Sequence, residues 1–465
     1  MGGTPIVDRD FSPEDCDGLF DHDSLRSAEL GLPQLSEIEV VRHFTNLSRS
    51  SHGVDTGPYP LGSCTMKYNP KRNDRMVGLD GIRNVHPLQP TQSMQGIWDL
   101  MFNLQSHIAE LTGMDHVSLQ PAAGAQGEFA GLLMVRKYFE DRGEARNVVL
   151  IPDAAHGTNP SSAAMVGFTC KIIPTTPDGL MDLVSLRAHL DSSVAALMLT
   201  NPSTLGLFEE NIVTIADLVH DNGSLLYYDG ANLNALMGIA RPGDMGFDVV
   251  HINTHKTLST PHGGGGPGAG PVGVKDILEP YLPTPVIRRD GDKAFPDYDR
   301  AKSIGKVKSF FGHISVLVRA YCYILTMGPD GLKMASENAV MNANYFQARV
   351  REFMPPVFDR LCMHECLLSG GKLPISAYSF AKRLIDFGIH PPTMIGAGCV
   401  YFPEELGSAM LIEPTETETR DSLDYIIDVF HKILNECMLN AQFVESSPHS
   451  REIGKIDSQP AVLDI

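Results

Sequence analysis

The chain has 465 residues and a formal net charge of −19, with 43% hydrophobic and 20% charged residues. This length exceeds the usual size of one domain, so we expect a globular protein with two domains. The acidic balance argues against nucleic-acid binding through a basic surface, because phosphate neutralisation needs clustered Lys and Arg side chains. A phosphorylated cofactor remains possible, since it needs only a local site.

The eight cysteines are scattered along the chain and do not have the spacing of a disulfide-stapled scaffold. This usage is typical of reduced thiols, and we expect a cytoplasmic protein. Cys362, His364 and Cys366 lack a second ligand pair at zinc spacing, so we expect no metal site. The acidic, polar N-terminus does not resemble a signal peptide, and no apolar stretch reaches about 18 residues, the length of a membrane span.

The first 330 residues are predicted to form an arm and a large domain. Residues 1–75 are rich in Gly, Pro and Ser, and we interpret them as an extended arm. Helical spacing of apolar residues predicts a helix over 93–112. Short apolar runs then alternate with helical patterns, which is typical of an α/β domain with a mostly parallel sheet, here 76–330. The predicted strands are 117–119, 148–151, 171–173, 195–200, 225–228 and 249–252, and the predicted helices between them include 128–138, 183–190 and 213–220.

The remaining chain is predicted to form a smaller α+β domain over 331–445. A largely helical region covers 304–353, with a break at 328–331 where Gly and Pro occur. Beyond it the pattern predicts an apolar run at 360–368, a helix over 376–387, strands at 399–402 and 409–412, and a helix over 416–437. The polar residues 446–465 are expected to be a loose tail.

The strongest local signal for chemistry is Asn253, Thr254, His255 and Lys256, which follow a predicted strand and precede a Gly-rich run at 263–266. Parallel sheets bind ligands at the carboxyl ends of their strands. An enzyme that uses pyridoxal phosphate needs one lysine amine there to hold the cofactor as a Schiff base. Taken alone, a lysine at a strand end is more often a solvated surface residue.

Asp229 ends the neighbouring predicted strand and is followed by Gly230 and Ala231. An aspartate at this place can pair with the pyridinium nitrogen of the cofactor and keep it protonated, so that the ring accepts electrons from a carbanion. Asp229 could instead be a helix cap or turn residue. Its separation from Lys256 by one strand is what a cofactor site on a doubly wound sheet requires.

Other strand ends carry polar or small residues. Ala123, Gly124, Ala125 and Gln126 join a strand to a helix, where exposed amides and the helix dipole would hold a phosphate. These small residues could equally serve tight strand–helix packing. His156 could stack on the cofactor ring, and Asn201 and Thr204 could bond its phenolic oxygen or a substrate carboxylate. A solvated histidine and turn residues are the alternatives.

Five segments of the sequence resemble the glycine decarboxylase (P-protein) family of the glycine cleavage system, and specifically subunit 2 of its two-chain form. They are YPLGSCTMKYNP at 59–70, DAAHGTNPSS at 153–162, YDGANLNA at 228–235, HKTLSTPHGGGGPG at 255–268 and IEPTETE at 412–418. The resemblance runs from about residue 40 to 437. Leu258 stands where an aromatic residue is expected, and His313 where Asn is expected.

The resemblance implies the α/β fold of the pyridoxal phosphate-dependent transferases (fold type I). Lys256 would bind the cofactor, Asp229 would pair with its ring nitrogen and His156 would stack on its ring, and these three would be the catalytic residues. The further cofactor-binding residues would be Ala123, Gly124, Ala125, Gln126, Thr204, Ala231, Asn253, Thr254 and His255.

The family's reaction implies decarboxylation of glycine, transfer of the aminomethyl group to the lipoyl arm of the H-protein, and release of CO2. One-chain members are roughly twice as long, so we expect a homologous subunit 1 and a heterotetramer with two copies of each chain. The alternatives are another fold-type-I enzyme, such as an aminotransferase or a cysteine desulfurase, or a silent scaffold subunit. The motifs at 59–70 and 255–268 argue against the first, and the retained Lys256 and Asp229 argue against the second.

Overall fold

The computed structural model describes residues 30–262, 268–395 and 408–451, together with the isolated positions Asp21, Arg26, Ala28 and Gly454. The chain divides into two units, residues 1–56 and residues 57–465. Among the described residues, no helix is both long enough and apolar enough to cross a bilayer.

The first unit contains one helix, α1 (Glu37–Ser50), within the part that the structure describes. It begins at a capping box in which the amide and hydroxyl of Ser36 both donate to the Glu39 carboxylate, at 2.8 and 2.7 Å. We predicted an extended arm here, and α1 is a difference from that prediction. Val41, Phe44 and Leu47 recur at a spacing of three, a helical signal that the Gly- and Pro-rich surroundings obscured.

A seven-stranded sheet forms the centre of the second unit, with the strand order β1-β7-β6-β5-β4-β2-β3. β3, β2, β4, β5 and β6 are parallel neighbours, while β7 is antiparallel to both β6 and β1. All six predicted strands are present, and β7 was missed. The bounds are β1 (His116–Ser118), β2 (Val148–Pro152), β3 (Thr169–Ile173), β4 (Val194–Thr200), β5 (Leu225–Gly230), β6 (Val249–Ile252) and β7 (Val272–Val274).

Helices cover both faces of this sheet. Val148 and Leu150 of β2 belong to one buried apolar cluster, while Val149 and Ile151 belong to another. Successive side chains of a strand point to opposite faces, so two clusters are expected where both faces are covered. The helices of this region are α2 (Lys71–Val77), α3 (Asp80–Arg83), α4 (Gln95–Thr112), α5 (Gly124–Asp141), α6 (Thr158–Val166), α7 (Leu183–His189), α8 (Ile212–Asp221) and α9 (Thr254–Thr257).

A hairpin and a long helix lead from the large sheet to a smaller one. The hairpin pairs β8 (Val286–Asp290) with β9 (Lys293–Asp297). Helix α10 (Ile314–Val350) is interrupted at Gly328, whose φ is 62°, in agreement with the predicted break. The smaller sheet is antiparallel and has the order β10-β12-β11. Its elements are β10 (Cys366–Ser369), α11 (Ala377–Leu384), β11 (Thr393–Ile395), β12 (Ala409–Ile412) and α12 (Arg420–Glu445).

Two peripheral segments lie against the smaller sheet and its helices. Leu61 bridges to Ile412, so the second part of the predicted arm contacts β12. The amides of His449 and Ser450 donate to Oδ1 of Asp386 at 2.7 and 2.6 Å, so the described beginning of the tail is held, whereas we predicted it to be loose. The predicted strand at 399–402 lies outside the described residues.

The core of the smaller domain provides a test of its packing. Phe430 is fully buried on α12, with ring centroids 5.4 Å from Phe346 and 5.2 Å from Phe380. We expect Phe430→Ala to lower the free energy of unfolding by about 3–5 kcal/mol, because it leaves a cavity. Urea titration followed by circular dichroism measures the loss. Met438→Ala, at an exposed position of the same helix, should change it by less than about 0.5 kcal/mol. Equal effects of the two changes would contradict this packing.

Candidate active site

The candidate active site lies at the carboxyl edge of the large sheet. β2, β4, β5 and β6 run in parallel, so the segments that follow them meet at one edge, where sheets of this type bind ligands. His156 follows β2, Thr204 follows β4, Asp229 is the next-to-last residue of β5, and Lys256 follows β6.

Lys256 is a buried residue of the short helix α9, immediately after β6. Its backbone amide donates to the carbonyl of Asn253, the residue that caps this helix, at 3.0 Å. Its Nζ donates to the backbone carbonyl of Ser63 at 2.7 Å. The alternative of a solvated surface lysine is therefore excluded, and the side chain is held at the protein interior by the 59–70 motif.

Asp229 is 1% exposed, accepts two hydrogen bonds and lies beside a histidine. Oδ2 accepts from Nδ2 of Asn159 at 2.9 Å, and Oδ1 accepts from the amide of Ala231 at 3.0 Å. Nε2 of His251 lies 3.1 Å from Oδ1. Burial alone would raise the pKa of Asp229, but the charge of His251 and these hydrogen bonds outweigh it and hold the pKa well below its usual value. Asp229 is therefore an anion.

His251 stands opposite Asp229 in the parallel pairing of β5 and β6. Burial acts to lower its pKa, but the negative charges of Asp229 and Glu128 prevail and raise it, which favours the protonated imidazole. Its Nδ1 lies 3.2 Å from the hydroxyl of Tyr227. Burial and the charge of Asp229 raise the pKa of Glu128, which accepts hydrogen bonds from Thr158 and Ser162. These residues form a buried polar network behind Asp229.

His156 is close enough to Lys256 and Asp229 for both to affect its pKa. Burial and the positive charge of Lys256 lower that pKa, and the charge of Asp229 opposes them only in part. The ring is therefore neutral at pH 7. Its Nδ1 lies 3.0 Å from Oγ1 of Thr158, which in turn donates to Glu128. A neutral, oriented imidazole is suited to stacking on an aromatic ring.

The predicted phosphate site is the N-terminus of α5, capped by Ala123 in an extended conformation. The amide of Gly127 makes the first hydrogen bond within the helix, to the carbonyl of Ala123 at 2.9 Å, so the amides of 124–126 precede it. Gly124 is required, because a Cβ there would lie 1.8 Å from Oδ1 of Asn253. The Gln126 side chain is used within the protein, accepting from Ala122 and donating to the carbonyl of Val307.

The other predicted residues have supporting contacts. The hydroxyl of Thr204 donates to the carbonyl of Ala154 and thereby joins the loops after β4 and β2. The hydroxyl of Thr254 donates to the carbonyl of Ala269 at 3.1 Å. The ring of His255 packs edge-on against that of His262, with centroids 4.8 Å apart. Burial and the charges of His262 and Lys256 lower the pKa of His255 to about 3, so its ring is neutral.

Several residues of the site were not singled out from the sequence. Ser63 and Lys67 lie in the 59–70 motif, and Glu413 in the 412–418 motif, but residue type alone gave them no role. Lys67 is buried, and its Nζ lies 2.6 Å from Glu416 and 3.0 Å from the carbonyl of Thr257 in α9. His251 had a usable signal, since it is a polar residue in an otherwise apolar strand.

Comparison with known proteins places this chain in a family. Residues 76–294 match the family model "Glycine cleavage system P-protein", and 335–452 match "Glycine dehydrogenase, C-terminal domain". A protein of Alkaliphilus oremlandii named "Probable glycine dehydrogenase (decarboxylating) subunit 2" is 51% identical over 460 residues, which cover 98% of this chain and 93% of that protein. The chain belongs to the glycine cleavage system P-protein family. The predicted family is thus confirmed.

Solved structures confirm the predicted fold class. The crystal structure of a glycine decarboxylase (P-protein) of the glycine cleavage system, in inhibitor-bound form, matches with a TM-score of 0.76 and 22% identity, covering 91% of this chain and 95% of that chain. A cysteine desulfurase from Thermococcus onnurineus NA1 matches with a TM-score of 0.63 and 12% identity, covering 82% and 95%. At these identities the likeness concerns the fold alone.

The residues of this P-protein site fit pyridoxal phosphate, the cofactor predicted from the sequence. Lys256 offers an amine, Asp229 an anionic carboxylate and α5 a helix N-terminus, all at one edge of the sheet. Oδ1 of Asn253 is buried and has no hydrogen-bond partner within the described protein, so a polar group is available between α5 and α9. A phosphate at the helix, an aldehyde at the lysine and a ring nitrogen at the aspartate match these groups.

The Asp229–His251 pair predicts a dependence of stability on pH. Removing one partner of a buried ion pair costs about 3–5 kcal/mol. Because the pKa of His251 is raised by folding, its contribution is complete below the unfolded value of about 6.5 and is lost as pH rises through the folded value. We expect His251→Asn to lower the urea midpoint of the cofactor-free protein. The decrease should be larger at about pH 6.5 than at about pH 9.

The control for this measurement is His431→Asn, which replaces a histidine at an exposed position of α12. It should leave the midpoint nearly unchanged at both pH values. A His251→Asn deficit that grows between the two pH values would show that His251 is not a cation paired with Asp229.

Proposed function

We propose that this chain is a pyridoxal phosphate-dependent subunit of glycine dehydrogenase (decarboxylating). It would release CO2 from glycine and pass the aminomethyl group to the lipoyl arm of the H-protein. The observation that carries the proposal is the buried Lys256 amine, held at the sheet edge that also carries the anionic Asp229. The name of the 51%-identical relative, which this chain matches over 98% of its length, supports glycine as the substrate.

Pyridoxal phosphate, when bound, supplies an aromatic ring that takes up the electron pair left on the glycine carbon as CO2 departs. Asp229 would favour this role, because an anion close to the ring nitrogen would keep that nitrogen protonated. Its own charge is maintained by His251 and Asn159. Since these groups are fixed before the reaction begins, they require no reorganisation when charge develops.

Lys256 has two tasks in the proposed reaction. It would hold the cofactor through its Nζ, and it would remain at the site as a free amine while glycine is bound. The Ser63 carbonyl accepts a hydrogen bond from Nζ, so a free amine has a partner at the site and stays near the reacting atoms. His156 is neutral and would contribute a ring face beside the cofactor, while the first amides of α5 would hold the phosphate.

The predicted partner is a homologous subunit 1, in a heterotetramer of two copies of each chain. The term "subunit 2" in the name of the relative supports a partner chain. The arm would contact this partner chain through helix α1. The support for this is that Val41, Phe44 and Leu47 form an exposed apolar face on α1, at a spacing of three residues. An apolar helix face of this kind is suited to a groove on another protein.

We further propose that the enzyme works in the cytoplasm, which the six free cysteine thiols among the described residues support.

Loss of Lys256 should remove most of the activity. We expect Lys256→Ala to reduce the exchange of labelled bicarbonate into glycine, measured with subunit 1 and the H-protein, by at least about 10²–10⁴-fold. Borohydride reduction of the wild-type enzyme should fix the cofactor to the Lys256 peptide. Lys432→Ala, at an exposed site on α12, should retain full exchange. Full exchange by Lys256→Ala would contradict the mechanism, and release of sulfide from cysteine would favour a desulfurase.

The role of the arm can be tested by co-purification with tagged subunit 1. We expect Phe44→Asp to reduce the recovered complex at least about tenfold, because it places a charge in an apolar contact. Asn46→Asp introduces the same charge two residues along α1 at another exposed position and should leave recovery near that of the wild type. Equal recovery with both variants would exclude this helix face as a contact.

A further inference from the structure

The segment 58–65 runs beside the smaller sheet before it reaches Lys256. The amide of His390 donates to the carbonyl of Pro58 at 3.0 Å, and Leu61 bridges to Ile412. Oγ1 of Thr393 donates to the carbonyl of Gly62 at 2.6 Å. A Cβ at Gly62 would lie 2.4 Å from the backbone of Leu411, so this segment is in close contact with β12.

Two buried glutamates of the smaller domain bind the amides on either side of Cys64. Oε2 of Glu365, just before β10, accepts from the amide of Ser63 at 2.6 Å. Oε2 of Glu413, just after β12, accepts from the amide of Thr65 at 2.9 Å, and Oε1 accepts from the Thr65 hydroxyl at 2.6 Å. Both glutamates are 0% exposed. Burying a carboxyl group fully is costly unless hydrogen bonds compensate for the loss of water. We therefore expect these two glutamates to have a specific role.

The backbone between these hydrogen bonds has an unusual conformation. Ser63 has a φ of 61° and Thr65 a φ of 22°, in the region that residues with a Cβ rarely adopt. Such conformations persist where the surroundings determine them, and they cluster at functional sites. Here their result is that the Ser63 carbonyl meets Nζ of Lys256 at 2.7 Å, while the Cys64 carbonyl lies 3.1 Å from Nε2 of His262.

We propose that Glu365 and Glu413 are positioning residues, which hold the Ser63 carbonyl against the amine of Lys256 by binding the amides of Ser63 and Thr65. Their hydrogen bonds are to Ser63 and Thr65, and it is Ser63 that binds Lys256. The glutamates therefore act on Lys256 through the 63–65 backbone. The smaller domain thereby fixes the position of the catalytic amine. The consequence for turnover rests on the proposed function, but the consequence for the position of the amine does not.

The pKa values of the two glutamates are consistent with this role. Burial and the charge of Glu413 raise the pKa of Glu365 well above its usual value, and burial raises that of Glu413. A carboxyl group accepts a hydrogen bond from an amide in its neutral form as well as in its charged form. Position 365 therefore requires an oxygen acceptor and does not require a charge. Substitutions that remove one and keep the other can distinguish these two contributions.

Two substitutions at position 365 separate these contributions. Glu365→Met keeps an unbranched side chain of similar length but has no oxygen acceptor for the Ser63 amide. Glu365→Gln keeps the acceptor and removes only the ionisable group. The first readout is the labelling of Lys256 by an amine-directed reagent in the cofactor-free protein, with peptide mapping, and exposed Lys432 as the internal standard. This readout requires no catalytic activity.

We expect Glu365→Met to raise the labelling rate of Lys256 relative to Lys432 on the order of tenfold, because the amine loses a fixed partner. Glu365→Gln should return it to within about twofold of the wild type. In the complex with subunit 1, Glu365→Met should lower kcat more than it changes KM, and Glu365→Gln should restore kcat. If labelling follows this pattern while no variant or wild type shows glycine exchange, the proposed function fails and the positioning role stands.

Two outcomes would overturn the proposal. Unchanged Lys256 labelling in Glu365→Met, with a lower unfolding midpoint, would leave the glutamate only a structural role. Labelling of Lys256 that rises equally in the Met and Gln variants would show that the charge of Glu365 matters and its acceptor oxygen does not. If Glu365→Met does not fold, Glu413→Met and Glu413→Gln repeat the comparison at the Thr65 amide, since only Gln keeps an oxygen acceptor. Labelling of Lys256 that rises with Glu413→Met and not with Glu413→Gln is the expected result, and wild-type labelling in both variants contradicts the proposal.

Discussion

The candidate site depends on a buried pair of opposite charges between two adjacent strands. Asp229 of β5 and His251 of β6 are paired in register, and both are at most 1% exposed. A lone charge at such a position would be strongly destabilising, so each residue requires the other. Once the pair exists, the carboxylate is an anion at the edge of the sheet where ligands bind. The parallel sheet thus supplies the charge as well as the scaffold.

Lys256 is positioned by a different part of the chain. β6 and α9 bring its backbone to the edge of the large sheet, but its amine is held by Ser63, which is 193 residues away in sequence. Ser63 is in turn bound to Glu365, 302 residues away. The carboxylate and the amine of the site therefore depend on different domains. The placement of both requires that the large and small sheets fold correctly and pack together.

This division explains what could be predicted from the sequence. β2, β4, β5 and β6 were predictable because strands buried on both faces are continuous apolar runs. Asp229 and Lys256 could be proposed as site residues because Asp229 ends such a run and Lys256 lies four residues after one. β7 was missed because Val272–Val274 is only three residues long and contains a glycine, which weakens a strand signal. Helix α1 was missed because the composition of its surroundings outweighed its own spacing.

The supporting residues were harder to predict for a physical reason. Glu365, Glu413 and Ser63 act through contacts between segments hundreds of residues apart, and periodicity reports only on the local chain. The segments at 59–70 and 412–418 marked Ser63 and Glu413 as parts of distinctive motifs, but no local pattern gives a serine carbonyl the task of binding a lysine. Such a task becomes visible only when the two segments are seen together.

The choice of a backbone carbonyl as the partner of Lys256 has a chemical reason. A lysine that bonds to an aldehyde carbon has to lose its proton, and a carboxylate in direct contact would favour the protonated amine. A carbonyl orients the amine through a hydrogen bond but carries no full charge. The two glutamates nearby bind the amides of the 63–65 segment instead. They fix the position of this segment without a direct hydrogen bond between a carboxylate oxygen and the amine. The indirect arrangement thus combines a fixed position with an amine that can still react.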